Sequence, residues 1–308
     1  MTIDTVKMQH LTDRLAAGEV KGRSPWADAR KRFANNKAAV TGLVLLILIT
    51  LFAFAGDYVA PWSNEEMDFD VMGSVAEKGQ PSLANGHYFG TDDLGRDLYA
   101  RVAQGTRISL LVGLVGTTIS VIVGTLYGAI SGYVGGRTDQ VMMRIVDILL
   151  AIPFMFVIIL LLVMFGRSIY MLFAGIGLLS WLNMARIVRG QTLSLKNKEF
   201  IEAAQATGVA SWLIIMRHIV PNLLGIVAVY ATLLVPEMIL TESFISFLGL
   251  GVQEPLTSLG ALISEGAGAI TQGTLWQLGW PLAFFIVTLY AFFFVGDGLR
   301  DALDPKDR

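Results

Sequence analysis

The chain has 308 residues, of which 54% are hydrophobic and only 16% are charged, and its formal net charge is −2 at pH 7. Soluble domains usually contain about 25% charged residues, so this composition is typical of a membrane protein and offers no basic surface for nucleic acid. There is no cysteine, and the three histidines lie far apart in the sequence. Disulfides, thiolate metal sites and cysteine catalysis are therefore excluded.

Residues 1–37 predict a cytoplasmic tail that ends in a short interfacial helix. In the segment SPWADARKRF, Ser24 suits the N-cap, Pro25 the first helical position and Asp28 the first turn. Trp26 and the neighbouring arginines suit a headgroup layer. The tail is rich in Lys and Arg, and the first apolar run lies too far along the chain for a signal peptide. We therefore expect that run to be an uncleaved span.

Six segments are apolar and long enough to cross a membrane, which takes roughly 20 residues. In chain order they are Ala38–Gly56, Ile108–Gly136, Ile148–Gly166, Ser168–Ala185, the run from Pro221 to Leu240, and one within Trp280–Gly296. The prediction is an all-α membrane protein with six transmembrane helices, the third and fourth joined by a tight turn at residues 166–168. Its regions are a first transmembrane helix (38–60), an external segment (61–105), a five-helix core (106–300) and a C-terminal tail (301–308).

The distribution of Lys and Arg predicts the orientation of these spans. With the N-terminus inside, 18 of the 23 Lys and Arg residues fall in cytoplasmic segments and five fall outside. Because cytoplasmic loops carry the excess of positive charge, both termini are predicted to be cytoplasmic. The segment 196–221 then faces the cytoplasm as well.

Four glycines in the second predicted span recur at four-residue spacing: Gly124, Gly128, Gly132 and Gly136. Such a ladder lies on one helix face and lets another helix approach closely. The partner is either a helix of this chain or one of a second membrane subunit, and the spacing alone leaves both open.

The cytoplasmic segment Glu199–Asn222, EFIEAAQATGVASWLIIMRHIVPN, predicts a helical pair about Gly208. Gly208 suits the position just past a helix end, where a positive φ is needed, and Ser211 suits the N-cap of a second helix. Pro221 is expected to end that helix and to reset the chain at the membrane. The pair either inserts into a groove of a partner protein or lies on the bilayer as an amphipathic helix.

These residues also resemble a known family. Glu202, Ala203, Ala204 and Gly208, followed by Ile219 and Pro221, match the E-A-A-x₃-G … I-x-P pattern of ABC importer permeases. The resemblance extends over almost the whole chain. HYFGTDDLGRD (87–97), ESFISFLGLGVQEP (242–255) and the ending GDGLRDALDPKDR are similar to signatures of the peptide-type permeases. The long external segment is typical of their C-type subunit, and HYFG and QEPL are most similar to the oligopeptide branch. Ile245 and Leu259 depart from the common pattern, with Leu259 standing where many relatives have tryptophan.

The resemblance implies the fold of a type I ABC importer permease in the bacterial inner membrane. It implies that the segment around Glu202, Ala203, Ala204, Gly208, Ser211, Ile219 and Pro221 docks a cytoplasmic ATPase. The implied partners are a second, B-type permease, two ATPase subunits, a periplasmic oligopeptide-binding protein, the peptide in transit and membrane lipid. The chain has no phosphate-binding G-x-x-x-x-G-K-[ST] loop. We therefore expect no cofactor and no catalysis in this chain, with ATP and Mg²⁺ bound by the partner ATPases.

Three ionisable residues, Asp147, Glu237 and Glu242, lie in or near predicted spans, where such groups are costly and often functional. Asp147 lies one turn from Arg144, so an interfacial ion pair competes with a proton relay. Glu242 belongs to a family signature, which favours a structural or gating role. The external carboxylates Asp92, Asp93 and Asp97 lack calcium-loop spacing and favour an external cap or a contact with a binding protein. Pro153 and Pro236 are candidate bending points.

The sequence thus predicts a permease subunit of an ATP-driven oligopeptide importer that forms half of the translocation pathway. Alternatives within the family are import of dipeptides or of another small substrate such as a nickel chelate. Alternatives outside it are a proton-coupled carrier that uses Asp147 or Glu242, and a membrane scaffold without transport. No residues for substrate binding or metal binding are predicted.

Overall fold

A computed structural model describes residues 25–303, and this part of the chain is predominantly helical, with its longest stretch of turns and irregular structure between residues 59 and 97. The α-helices in chain order are α1 Pro25–Asn35, α2 Lys37–Ala55, α3 Val75–Lys78, α4 Leu98–Val134, α5 Gly136–Ala151, α6 Phe154–Phe165, α7 Ile169–Leu195, α8 Glu199–Ala206, α9 Ser211–Ile214, α10 Val220–Phe247, α11 Leu259–Ala269 and α12 Trp276–Leu303. Short 3₁₀ turns cover Gly56–Tyr58 and Ile270–Gln272, and a π-helical turn covers Ile215–Ile219. Extended pairing within residues 25–303 is limited to two isolated bridges.

The helices make the chain a multi-pass membrane protein. Five helical segments, α2, α4, α7, the continuous α9–α10 and α12, are each long and apolar enough to cross a bilayer. The pair α5 and α6 makes a sixth segment if the two bent helices count as one span. The predicted all-α membrane fold is therefore confirmed, and its sixth span depends on the bent pair.

Helix α4 is the central element of the bundle, packing along α7 and against α10. At one end of the bundle, residues of α4, α7 and the 201–227 region form a common apolar cluster. At the other end, α4, α6, α7 and α10 form a second one. Helix α2 lies outside this core and packs on α12, where Gly42 faces the backbone oxygen of Ala291 and Gly298 faces Ala39. Because α2 keeps most of its leucines and isoleucines exposed, its outer face suits lipid.

The third predicted span, Ile148–Gly166, is broken at Pro153, which confirms one of the two candidate bending points. The chain bends by 75° between α5 and α6. Pro153 disfavours the helical conformation of the residue before it, and Ile152 is accordingly extended, with φ −84° and ψ 126°. The predicted turn at residues 166–168 is confirmed: Gly166 has φ +98°, and the Ser168 hydroxyl accepts a hydrogen bond from the amide of Met171 as the N-cap of α7.

Other helix boundaries differ because polar segments continue helices beyond the apolar runs. Helix α4 begins ten residues before Ile108, and α7 continues to Leu195 instead of ending at Ala185. The predicted N-terminal helix is confirmed as Pro25–Asn35, with Asp28 in its first turn. Its predicted cap, Ser24, lies outside the described residues.

Candidate functional site

Helix α8 ends at a glycine hinge, as predicted. Gly208 has φ +76° and nothing within 4 Å of the position of an added Cβ. The amide of Val209 donates to the Ala204 carbonyl and the amide of Gly208 donates to the Gln205 carbonyl, both at 3.0–3.1 Å. These two bonds form a Schellman motif, which requires a left-handed residue at the position of Gly208.

The second half of the segment differs from the prediction at two residues. Ser211 is the first residue of α9 and its side chain makes no capping bond; Ala210 precedes the helix instead. Pro221 does not end the helix, because α9, the π-turn and α10 continue as one helical segment. A π-turn directs its hydrogen bonds to the residue five positions earlier, and the amide of Val220 bonds the Ile215 carbonyl. Pro221 therefore lies at the start of α10, directly after the π-turn, and that wider turn leaves room for the proline ring.

We name residues 199–221 the knuckle, and it has two faces. Its inner face is apolar: Ile201, Ala204 and Ile219, with Ile214 and Ile215, join the cluster formed with α4, α7 and α10. Its outer face is exposed and carries Glu202, Ala203, Gly208, Ser211 and Pro221, with Trp212, Leu213 and Met216 alongside. The predicted coupling residues thus divide into buried residues that rest on the core and exposed residues that a partner can contact. The sequence pattern alone does not separate these two groups.

Polar contacts fasten the helices beneath the knuckle. The Gln205 amide donates to the Tyr133 hydroxyl of α4 at 3.2 Å. The Arg189 guanidinium of α7 contacts both carboxylate oxygens of Asp139, which also accepts a 2.6 Å hydrogen bond from Ser131. Helices α4, α5 and α7 are therefore tied together close to the knuckle, by residues that the sequence analysis did not single out.

Three of the four ladder glycines pack inside this chain. A Cβ on Gly124 would lie 2.6 Å from Cβ of Met184, one on Gly128 would lie 2.3 Å from the Ala185 oxygen, and one on Gly132 would lie 2.8 Å from Cβ of Thr192. The partner helix is α7. The fourth, Gly136, does not belong to this face, because α4 ends at Val134 and positive φ values at Gly135 and Gly136 turn the chain into α5.

Asp147 forms an ion pair, but not with the arginine expected from its neighbourhood. Its carboxylate accepts a 2.7 Å hydrogen bond from Arg186 of α7, and both side chains are more than half exposed. The packing of α5 on α7 brings this pair together across 39 positions, which the spacing to Arg144 could not indicate.

Glu242 is completely buried near the C-terminal end of α10. Its carboxylate accepts hydrogen bonds from Ser109 of α4 at 2.9 Å, from Ser246 at 2.7 Å and from Ser243 at 3.2 Å. The Ser109 oxygen also accepts the amide of Leu259, at the start of α11. This arrangement joins three helices and gives the carboxylate three hydroxyl donors, as a structural role requires.

The segment between α2 and α4 is held on the bundle by a cluster of ion pairs in which Asp92, Arg96 and Arg101 are buried. Arg101, with 3% of its side chain exposed, contacts Asp92 at 2.6 Å and Glu265 of α11 at 2.7 Å. Arg96 contacts Asp92 and Glu254, each at 2.7 Å. Burial alone would lower the pKa of Arg96, but the bonds to Glu254 and Asp92 outweigh it and raise that pKa. Asp92 therefore contacts two arginines at once, and Arg101 connects it to Glu265 of α11.

Asp97 links the start of α4 to the segment that precedes it. One oxygen caps α4 by accepting the Ala100 amide at 2.8 Å, and the other lies 2.9 Å from Nδ1 of His87. Burial raises the pKa of Asp97, while the contacts with His87 and with the amides of Ala100 and Tyr99 oppose this shift. His87 is itself buried and stacks on Trp62 at a ring-centroid distance of 4.8 Å. His87, the histidine of the HYFG sequence, thus joins Trp62 and the N-cap of α4 within the segment between α2 and α4.

Comparison with known proteins places this chain in a family. Residues 124–308 match the family described as binding-protein-dependent transport system inner membrane component. Residues 24–76 match the N-terminal TM domain of oligopeptide transport permease C. The chain belongs to the binding-protein-dependent permease family. Members of this family are membrane subunits and not enzymes.

Curated relatives extend the similarity over nearly the full chain. The oligopeptide transport system permease protein OppC of Haemophilus influenzae is 53% identical over 98% of this chain and 95% of its own length. The corresponding protein of Escherichia coli K12 is 57% identical over 94% of each chain. That of Bacillus subtilis is 43% identical over 94% of this chain and 92% of its own length. The knuckle, the ladder and the external cap all lie within the compared regions.

Proposed function

We propose that this chain is the C-type permease subunit of an ATP-driven oligopeptide importer in a bacterial inner membrane. It forms half of the translocation pathway beside a second, B-type permease. Two ATPase subunits bind the cytoplasmic face, and a periplasmic binding protein delivers peptide to the outer face. The observation that carries the proposal is the knuckle: an exposed helical hinge whose inner face rests directly on the transmembrane core.

The orientation in this proposal rests on charge. The excess of Lys and Arg flanks the ends of the spans that connect to the knuckle, and such an excess marks the cytoplasmic side. Both termini and the knuckle are then cytoplasmic. The external segment 61–105, with its ion cluster, faces the periplasm.

ATP must act through partner subunits in this mechanism. Gly-Lys never occurs in the chain, so the phosphate-binding loop and its Mg²⁺ belong to the ATPases. The outer face of the knuckle, with Glu202 and Ala203, docks in a groove of an ATPase by the helix-in-groove mode. The partner biases the transporter only by contacting its two states differently.

The two faces of the knuckle supply the route for that bias. A displacement of the outer face reaches the inner face through a short helix that ends in a glycine hinge. The inner face contacts α4, α7 and α10 through Ile201, Ala204 and Ile219, and close-packed apolar contacts transmit displacement with little slack. Movement of the ATPase therefore tilts the spans and switches access to the pathway.

Oligopeptides are the favoured substrate class because the relatives with 53–57% identity carry that name. Dipeptides and other small substrates of the same family are the competing assignments. A proton-coupled carrier is less well supported, because Asp147 is paired with Arg186 and Glu242 is enclosed by serines.

The test is peptide uptake by the complete complex reconstituted in proteoliposomes with its binding protein. We expect accumulation of a labelled tripeptide that requires internal ATP and survives a proton uncoupler. Uptake that collapses with the uncoupler but persists without ATP would identify a proton-coupled carrier instead. Co-purification of a second permease and two ATPase chains is expected from the same preparation.

A further inference from the structure

A cavity of about 220 Å³ lies between α7, α10 and the break that joins α5 to α6 at Ile152 and Pro153. Most of its lining is apolar, but Ser180, Asn183, Glu237 and Thr241 contribute polar atoms. The sequence alone marks Glu237 only as an ionisable residue within a span.

Three separate measures along the helices place this cavity near the middle of the spans. Glu237 lies ten residues before the end of α10 at Phe247, a distance of about 15 Å at 1.5 Å per residue. Asn183 lies fourteen residues after the start of α7, or about 21 Å. Helix α6 has 12 residues between the external turn and the break, or about 18 Å. All three distances are about half to two-thirds of the roughly 30 Å that a span must cover.

Glu237 has no protein partner at this depth. Within residues 25–303 its carboxylate makes no hydrogen bond and no ion pair, and the Asn183 side chain likewise makes none. Thr241 satisfies its own hydroxyl by donating to the backbone oxygen of Glu237. An ionisable group within a span is costly unless water, a cation or another polar group compensates it, and such groups mark substrate pathways.

The broken helix beside the cavity strengthens this interpretation. Many secondary transporters place their substrate sites near the midplane, where a discontinuous helix exposes polar groups, and the break between α5 and α6 is a comparable discontinuity. The break at Pro153, the unpaired Asn183 and the carboxylate of Glu237 meet at one cavity on the exposed side of this chain.

We propose that the Glu237 carboxylate, assisted by the Asn183 amide, contacts ammonium groups of the peptide as it passes through the membrane. The carboxylate accepts hydrogen bonds from the ammonium group and offsets its charge, and the amide oxygen of Asn183 accepts a further one. The ammonium group is either the α-amino terminus or a lysine side chain. This proposal deepens the proposed function and rests on it.

The test uses the complete complex in proteoliposomes, with saturating binding protein loaded with one of three tripeptides: Ala-Lys-Ala, Ala-Ala-Ala or Ala-Glu-Ala. Uptake by E237Q is compared with wild type for each peptide. The variant E66Q makes the same chemical change at an exposed residue of the external segment and serves as the control. The double variant E237Q/N183D returns a carboxylate to the cavity from the neighbouring helix.

If lysine side chains are the ligand, E237Q lowers uptake of Ala-Lys-Ala about tenfold relative to Ala-Glu-Ala, since it removes a charge-assisted hydrogen bond. If the α-amino group is the ligand, uptake of all three peptides falls alike, and N183D restores it. The variant E66Q leaves all three rates unchanged in both cases.

Three results would overturn the proposal: unchanged uptake by E237Q, an equal loss for all peptides that N183D does not restore, or loss of the second permease from purified E237Q complex. The last would mean that Glu237 pairs with a cation of the neighbouring subunit. Absence of ATP-driven uptake by the wild-type complex would instead refute the proposed function, so the two failures are distinct.

Discussion

Replacing Gly128 with alanine tests whether the glycine ladder packs inside this chain or against a second subunit. The added Cβ would lie 2.3 Å from the Ala185 oxygen and 2.9 Å from the Arg189 nitrogen, both backbone atoms of α7. A Cβ ordinarily lies at least about 3.4 Å from other heavy atoms. Helices α4 and α7 must therefore separate by close to 1 Å. Backbone atoms cannot relieve this overpacking by a change of rotamer. Overpacking of this kind costs about 1–3 kcal/mol.

The assay is thermal unfolding of the detergent-purified chain. The quantity measured is the fraction of monomer that remains after heating to each temperature. A loss of 1 kcal/mol lowers the midpoint by about 2–4 °C in domains of 150–250 residues, so a drop of several degrees is expected for G128A. Gly190 of α7 has nothing within 4 Å of its Cβ position, and G190A is the matched control. Alanine is favoured over glycine within a helix by about 0.5–1 kcal/mol, so its midpoint should stay or rise.

The opposite pattern would refute the packing assignment. If G128A leaves the midpoint of the isolated chain unchanged but prevents co-purification of the second permease, the ladder is a subunit interface. A G190A variant as unstable as G128A would show that any added methyl group disturbs α7, and the close contact at Gly128 would lose its meaning.

Other predictions concern stability and are checked by the same midpoint measurement. E242A leaves three buried hydroxyls without their acceptor, at about 1–3 kcal/mol for an unsatisfied group, so a lower midpoint is expected; an unchanged one would show that water replaces the carboxylate. S258A removes the N-cap of α11 and costs about 1 kcal/mol, whereas S211A removes no cap and should be neutral; equal effects would contradict the capping assignments. D92N breaks the ion pairs of a buried carboxylate and costs about 3–5 kcal/mol. D147N breaks an exposed pair that is worth about 1 kcal/mol or less. A larger loss for D147N than for D92N would contradict the placement of the segment between α2 and α4.

Local signals in the sequence predict much of this fold. The apolar runs locate the spans, because their length follows from the thickness of the membrane. The hinge at Gly208 is predictable because a Schellman motif needs a residue that tolerates positive φ. The turn at Gly166 and Ser168 is predictable for the same reason and because serine caps helices.

Features that depend on distant partners are not predictable in this way. Asp147 meets Arg186 and Arg101 meets Glu265 only because helices far apart in the chain pack together. Pro221 suggested a helix end, but the wider π-turn before it accommodates the ring. The division of the knuckle into a buried face at Ala204 and an exposed face at Ala203 also follows from packing on the core, which the E-A-A pattern does not encode.

The central claim is that the outer face of the knuckle contacts the ATPase, and crosslinking tests it most directly. The chain contains no cysteine, so A203C provides a single thiol on the exposed face, and A84C provides one on the exposed part of the external segment. Each variant is labelled with a thiol-reactive photocrosslinker in the complete complex. The account predicts a covalent product between A203C and an ATPase chain, and none between A84C and that chain. Crosslinking of A84C but not of A203C to the ATPase would contradict it.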